Sequence, residues 1–558
     1  MISCLKCNGT LKYDIVSRLL VCESCNSHFA PEDADIAGAE ESKEFDATVY
    51  NCPRCGGEVI SLNNQVVSNC SYCGEQVQLT SRMMKIEKPK AIIPFEVTKD
   101  RCIKTFKERM NKAPCVPDDF KSQGNLDGFR AIYMPHWVYK GEQKGELSYI
   151  VHEPPKKNSA SYYYYVNGEV DLTYEGMAHD ASSSFPDSMS ELLAPYNMSK
   201  MVDFAPGYYA GFYADAADVA AEVYEYEAES AMINETKELL TKMSDTKGMI
   251  ENYSPDLWKE VVHSEIKESY IAMLPVWFMT YRSKDRVSYI TMNGQTGRMA
   301  FDIPVSKPKF LLLSAVFGVL ASFFLFIFKL SNPPLCTFFL AFLAMWMVLR
   351  HRQSIELITK KKGVMSDWGE NYAKVKQAKE RNKKLREAAK RAGMEDLHED
   401  VYVTAEANYT SREEYIREKE AIGKRRDKRK GLVISAAFVI LYAVSQVFSV
   451  LMSLIGGKIV GFMVAAAIVI VGIWMGVENV IRLTETEETG NIMKGGFSVL
   501  SIIICGIMIG WFPEDYTFFA IANVVVLVLI TITAIDIIDK HNRLGTRKIP
   551  HFEYSKFK

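Results

Sequence analysis

Positive charge is scarce at the head of this chain, and familiar reaction motifs are missing along its whole length. Residues 1–80 hold five Lys or Arg (Lys6, Lys12, Arg18, Lys43, Arg54) against eleven Asp or Glu, a net −6. A surface that neutralises phosphates needs the opposite sign, so no nucleic-acid partner is expected for this segment. There is no His-Glu-x-x-His helix, no Gly-x4-Gly-Lys-Ser/Thr loop and no nucleophile elbow. The nine histidines are scattered. No secretory signal precedes the first cysteine, which favours reduced cytosolic thiols over disulfides.

What the head does carry is an internal repeat. Cys-x2-Cys-x14-Cys-x2-Cys occurs as Cys4, Cys7, Cys22 and Cys25, and again 48 residues later as Cys52, Cys55, Cys70 and Cys73. A Cys-x2-Cys turn brings two thiolates onto one ion, and two such knuckles complete a tetrahedral Cys4 zinc site. Asn8, Asn26, Gly56 and Gly74 follow the four knuckles, and each tolerates the left-handed backbone that a knuckle needs. Leu11 to Val21 and Glu58 to Val67 read as the hairpins of two zinc ribbons. Four ligands at each site imply two closed, structural Zn2+ ions; the competing readings are paired disulfides or an iron–sulfur centre. His28, three residues past Cys25, reads as a surface residue. A Zn(Cys)4 unit is formally dianionic, which deepens the acidic character of the head and favours protein contact.

The other half of the chain is apolar, although a mean hydropathy of −0.05 conceals it. Runs at Phe310 to Phe328, Leu335 to Leu349, Leu432 to Ile455, Ile459 to Ile481, Phe497 to Phe512 and Thr517 to Ile538 approach bilayer-spanning length. Six spans are expected, the short second run being a possible re-entrant segment, with four or five as the alternative. Arg350 to Lys430 carries 23 Lys or Arg, whereas the turns near Ser331, Gly456 and Glu514 are almost free of them. Positive charge is retained inside, so both termini and the basic stretch are expected at the cytoplasmic face of the cell membrane. Glu478 and Asp536 lie near the ends of their runs, within reach of the interface, while Gln446 and Asn523 lie deeper. Gly472/Gly476 and Gly506/Gly510 have spacing that permits close helix packing. Within the basic insert, Asp367 caps an expected helix to about Ala392 that suits either anionic lipid or a protein partner.

Between ribbons and membrane, residues 91–305 suffice for one α+β domain. Thr98 is placed to cap a helix to about Lys112 with Cys102, Ile103, Phe106 and Met110 on one face. A second helix is expected across Asp215 to Met243. Two hairpins are predicted: Ile132 to Tyr139 with Glu146 to His152, and Met273 to Met279 with Val287 to Met292, the latter followed by a turn at Asn293-Gly294. Both first strands contain Pro-x-Trp (Pro135/Trp137 and Pro275/Trp277), which suggests a duplicated unit. His136 reads as a half-buried strand residue, Tyr162 to Tyr165 and Tyr208-Tyr209 as packing aromatics, and Cys102 and Cys115 as core thiols.

Ile92-Ile-Pro-Phe-Glu-Val-Thr98, the Pro-x-Trp strands, Leu192-Leu-Ala-Pro-Tyr196, Val202 to Tyr213, and Met292-Asn-Gly-Gln-Thr-Gly297 carry a resemblance. Over residues 1 to about 310 and the first two spans, the chain resembles a bacterial family of TFIIB-type zinc-ribbon membrane proteins, frequent in Gram-positive bacteria. The resemblance implies a link to envelope-stress modules, with flotillin-like or phage-shock-type partners, and brings no catalytic residue. The basic insert and four further spans depart from shorter relatives.

The expected organisation is therefore multidomain: ribbon 1 (1–30), acidic linker (31–49), ribbon 2 (50–80), cytosolic α+β domain (91–305), two spans (310–349), basic insert (350–430), four spans (432–538) and a basic tail (539–558). The expected function is a non-enzymatic membrane scaffold that recruits proteins. The alternative is a transporter or membrane enzyme with a regulatory zinc cap.

Overall fold

A computed structural model describes residues 3–33, 44–62, 70–75, 79–153, 162–243, 262–327, 333–363, 470, 492–511 and 516–548. The head begins with β1 (Leu11–Asp14), β2 (Leu19–Cys22) and β3 (His28–Phe29), which form a small sheet in that order. Leu11 pairs with Cys22 and Asp14 with Leu19. The turn between them closes where Arg18 adopts φ 59° and the Ser17 amide donates to the Asp14 carboxylate at 2.8 Å. Period-two alternation buries Leu11 and Tyr13 and turns Lys12 and Asp14 outward.

The remaining strands of the described residues join one sheet of twelve. They are β4 (Glu44–Asn51), β5 (Glu58–Ser61), β6 (Thr80–Glu87), β7 (Ala91–Ile92), β8 (Arg130–Glu153), β9 (Tyr162–Asp180), β10 (Val202–Asp203), β11 (Tyr213–Ala214), β12 (His263–Ser283), β13 (Arg286–Asn293), β14 (Met299–Phe301) and β15 (Arg547–Lys548). The central path runs β10-β7-β12-β8-β11-β5-β4-β6, with β9 on β8, β13 on β12, and β14 and β15 on β13. β4, β5 and β6 carry the second ribbon. The sequence suggests a separate module at 50–80, whereas its strands begin at Glu44 and β5 is hydrogen-bonded to β11. The reason is burial: Val49, Val59 and Ile60 are apolar on faces that a ribbon of this size cannot cover alone.

The first predicted hairpin is replaced by one long strand. β8 continues without a turn from Arg130 to Glu153, and its hairpin partner is β9, paired from His136/Asp180 to Glu153/Tyr162. The second hairpin does form, with Val276 to Ser283 paired to Arg286 to Asn293. The two Pro-x-Trp segments lie antiparallel to each other, Met273 opposite Pro135 and Pro275 opposite Tyr133. Each Trp Nε1 donates to a backbone carbonyl at 2.7 Å, Trp137 to Val219 and Trp277 to Val97. The repeated unit thus pairs with itself across a local pseudo-twofold.

Helices α1 (Lys99–Asn111), α2 (Gln123–Asp127) and α3 (Asp187–Leu193) pack on this sheet, followed by α4 (Glu225–Met243). Thr98 caps α1 by accepting from the Arg101 amide at 3.4 Å. Its inward residues Cys102, Phe106 and Met110 are fully buried, and the two larger side chains contribute about 1.5–3 kcal/mol each. Burial pushes the Cys102 thiol up to about 12, as expected of an inert core cysteine. α4 starts ten residues later than the sequence suggests. Asp215 is tied to β8 by its amide, which donates to Tyr133 O at 2.9 Å, so the chain stays extended there. In the core, Phe95 touches Tyr133, Phe212 and Trp277 with ring centroids 5.0, 4.8 and 5.5 Å away. Leu11, Tyr13 and Leu20 of the first ribbon join this same core. Gly207 lets the contact close, since a Cβ there would lie 2.2 Å from Pro31 O.

The apolar half contributes α5 (Lys307–Ile327), α6 (Pro333–Gly363), α7 (Gly496–Trp511) and α8 (Tyr516–Leu544). The expectation of six spans is not supported among the described residues. There, one helix, Thr517–Leu544, is long and apolar enough to cross a membrane, and Gly496–Met508 is a shorter apolar helix. The runs at 432–455 and 459–481 and the predicted helix at 367–392 lie outside the described residues, save for Ile470. The boundary drawn at Arg350 is not a structural one, because α6 continues through it to Gly363. α6, α7 and α8 meet through Ala341, Ala344, Val348, Ile502, Cys505 and Val526.

Candidate metal centres

In each cysteine quartet the four sulfurs lie within 4.8 Å of one another. Cys4 and Cys25 are 3.6 Å apart at Sγ, and Cys7 and Cys22 are 3.4 Å apart. At the second site Cys52–Cys73 and Cys55–Cys70 measure 3.8 and 3.6 Å. A tetrahedral ion with metal–sulfur bonds of about 2.3 Å requires sulfurs roughly 3.8 Å apart, whereas a disulfide requires about 2.05 Å. The spacing therefore matches two four-sulfur metal sites and excludes disulfide pairing. Four thiols packed so closely cannot all ionise without a cation among them, and a bound divalent ion supplies that compensation.

The knuckles are built alike. The amides of Asn8, Asn26, Gly56 and Gly74 donate to the carbonyls of Cys4, Cys22, Cys52 and Cys70 at 2.8–3.0 Å. These four residues hold φ of 58°, 55°, 74° and 65°, the left-handed conformation for which Asn and Gly are suited. The amides of Lys6 and Gly57 point at Cys4 and Cys55 sulfur at 3.4 Å and offset thiolate charge. His28 sits exposed on β3, outside the four-sulfur set.

The two sites differ in surroundings. At the first, Cys4 and Cys22 are buried and Cys7 and Cys25 are exposed, with Leu5 65 % exposed on the knuckle. At the second, all four cysteines are buried among Tyr50, Val59, Tyr72 and Leu79. Tyr72 packs edge-on against Phe278 of β12 at 6.2 Å, and Thr280 Oγ1 donates to Ser71 O. Glu75 pairs with Arg54 at 3.1 Å and also with Arg282. The second knuckle pair is thereby locked to the central sheet.

The sequence reading places Asp536 within reach of the interface. Instead it is buried, accepting from His351 Nε2 of α6 at 2.9 Å and from Lys540 one turn away, with Lys494 Nζ at 3.6 Å. His351 and Asp536 stand 185 residues apart, so nothing local in the sequence pairs them, whereas Asp536 and Lys540 have i, i+4 spacing on one helix face. Asn523 accepts from Thr337 Oγ1 at 2.7 Å. Gly506 is buried on α7. Gln446, Glu478, Gly472 and Gly476 lie outside the described residues. His136 is buried rather than half-buried, Tyr208 and Tyr209 are core residues, and Cys115 is partly exposed.

Fold and site together define a protein with two four-cysteine metal centres built onto an α+β sheet and a strongly apolar C-terminal half. No family model and no solved structure matches the chain. It is similar to a Bacillus subtilis (strain 168) protein named "Uncharacterized protein YdjG", with 24% identity over 230 residues. That similarity spans 40% of this chain and 65% of YdjG, just under two thirds of the relative.

Proposed function

We propose that this chain is a non-enzymatic, membrane-anchored zinc-ribbon scaffold that recruits partner proteins at the cytoplasmic face. The observation that carries the reading is the asymmetry of the two metal centres. The second is sunk into the sheet, whereas the first shows Cys7, Cys25 and Leu5 to solvent while its inner face is fixed in the core. A rigid knuckle with an exposed apolar tip suits protein contact. Zinc is the ion that best fits four closed cysteine ligands.

Several spans, with both termini inside, form part of the proposal. α5 turns Leu312, Phe317, Val319, Leu320 and Phe323 outward, each at least 58 % exposed, a surface that lipid rather than water accommodates. β15 follows α8 and pairs with β13, which supports placing the end of α8 on the same side of a bilayer as the sheet body. Membership of the TFIIB-type ribbon family, and envelope-stress partners of flotillin-like or phage-shock type, remain parts of this proposal.

The test is affinity capture from mild detergent with wild type, Leu5→Asp and Cys7→Ser/Cys25→Ser. Loss of specific partners in both variants is expected. An unchanged partner set in both would end the recruiting role of the first ribbon. Transport with a zinc cap is the second reading, favoured by the buried His351–Asp536–Lys540 cluster. Along α6 and α8, Ala344, Val348, Val526 and Ile530 separate that cluster from Thr337 and Asn523 with an apolar layer, which weighs against a continuous polar path through these helices.

A further inference from the structure

A cavity of about 360 Å³ opens on the sheet body between β8, β9, α3 and the loop at 194–198. Its floor holds a neutral pair. His136 Nδ1 lies 3.1 Å from Met134 O, a group that only accepts, so Nδ1 carries the proton. Nε2 then accepts from the Ser190 hydroxyl at 3.0 Å. Burial holds this imidazole down at about 4, so it stays neutral at physiological pH.

Serine and histidine so arranged suggest nucleophile and base, but the rest of the wall opposes acyl transfer. Asp180, Asp187 and Glu191 line the same space, and an oxyanion forming beside them would meet like charge. Among the described residues that line the cavity, none is Lys or Arg. Its side wall is aromatic: His179 stacks on Tyr224 at 5.3 Å with the planes 7° apart, and Tyr196 meets His136 edge-on at 6.2 Å. Tyr224 donates its hydroxyl to Asp187 at 3.1 Å, which holds the carboxylate in place. The carboxylates are distributed around the wall; among the described residues only the cysteine quartets bring three or more ligand atoms to metal-binding distance. The spacing therefore suits a charge spread over a larger body than a bare metal ion.

We infer that this cavity binds a small organic cation, an amine or ammonium compound, held by carboxylates and aromatic faces. Carboxylates supply the opposite charge, ring faces attract ammonium groups, and the volume is within the usual range for small-molecule sites. With its proton donated to His136, the Ser190 oxygen can still accept from a hydroxyl on the same ligand.

Titration calorimetry on the full-length, detergent-solubilised protein tests this with choline, putrescine and 3,3-dimethyl-1-butanol, the neutral isostere of choline. Choline or putrescine is expected to bind at least about tenfold more tightly than the isostere. Glu191→Gln, at an exposed position, is expected to weaken cation binding several-fold while the protein keeps a cooperative melting transition, and Asp187→Asn more. Equal binding of choline and its isostere would overturn the inference. So would saturation by Mg2+ or Ca2+ alone, or no heat from either cation with protein whose melting transition is intact.

Discussion

His136 shows how one residue ties stability to pH. Its ring is buried and neutral, with a folded-state value of about 4 against an ordinary 6.5. Because the unfolded chain takes up the proton first, the stabilisation is complete above about pH 6.5 and lost as pH falls towards 4. The linkage is on the order of 3 kcal/mol at most. Urea unfolding of wild type and His136→Gln at pH 7 and pH 4.5 is expected to show a smaller acid-induced loss in the variant; equal losses would remove His136 as the sensor. At this scale the sequence was partly legible. The knuckle residues Asn8, Asn26, Gly56 and Gly74 could be assigned because the conformation they must adopt is local. His351 and Ser190 could not, since their partners are brought to them only by tertiary packing.

Among the elements, the two ribbons share a spacing and part company in their settings. With Cys7 and Cys25 exposed, the first centre is open to a chelator, while the second is shielded by Tyr50, Tyr72 and Leu79. Metal release into a chromogenic chelator is expected to be biphasic, with one equivalent leaving at least about tenfold faster and the slow phase coinciding with loss of tertiary structure. A single phase would mean that the two centres are not independent. Cys52→Ser should accordingly lower the melting temperature more than Cys7→Ser. Local signals also foretold α1 from its cap and its apolar face. They failed for β8, because nothing in a strand's own sequence tells a hairpin from continuation when the partner strand, β9, lies farther along the chain.

On the scale of the whole molecule, the end of α8 is fastened to the sheet. Arg286 donates to Thr546 Oγ1, Thr546 O and Arg543 O at 2.7, 2.9 and 3.2 Å, and Asn542 exchanges hydrogen bonds with the Val305 backbone at 2.7 and 2.9 Å. Arg547 lies 4.7 Å over Tyr289, itself 5.0 Å from Phe278, which touches Tyr72 beside the second metal centre. A continuous row of rings therefore connects that centre to the C-terminal clamp. Arg286→Ala is expected to cost about 2 kcal/mol locally and to speed amide exchange at residues 543–548 by tenfold or more. Unchanged exchange would mean that the clamp is held by other contacts.

Ligand identity, knuckle conformation, acidic charge and the apolar character of the C-terminal half are written in the chain itself. Each depends on residue type and short spacing, which no fold can alter. The merging of the second ribbon into the main sheet, the antiparallel meeting of the Pro-x-Trp strands, the burial of Asp536 beside His351 and the cavity around Ser190 belong to tertiary structure. They arise from contacts across tens to hundreds of residues, and such contacts are selected by which apolar faces can cover one another once the whole chain is folded.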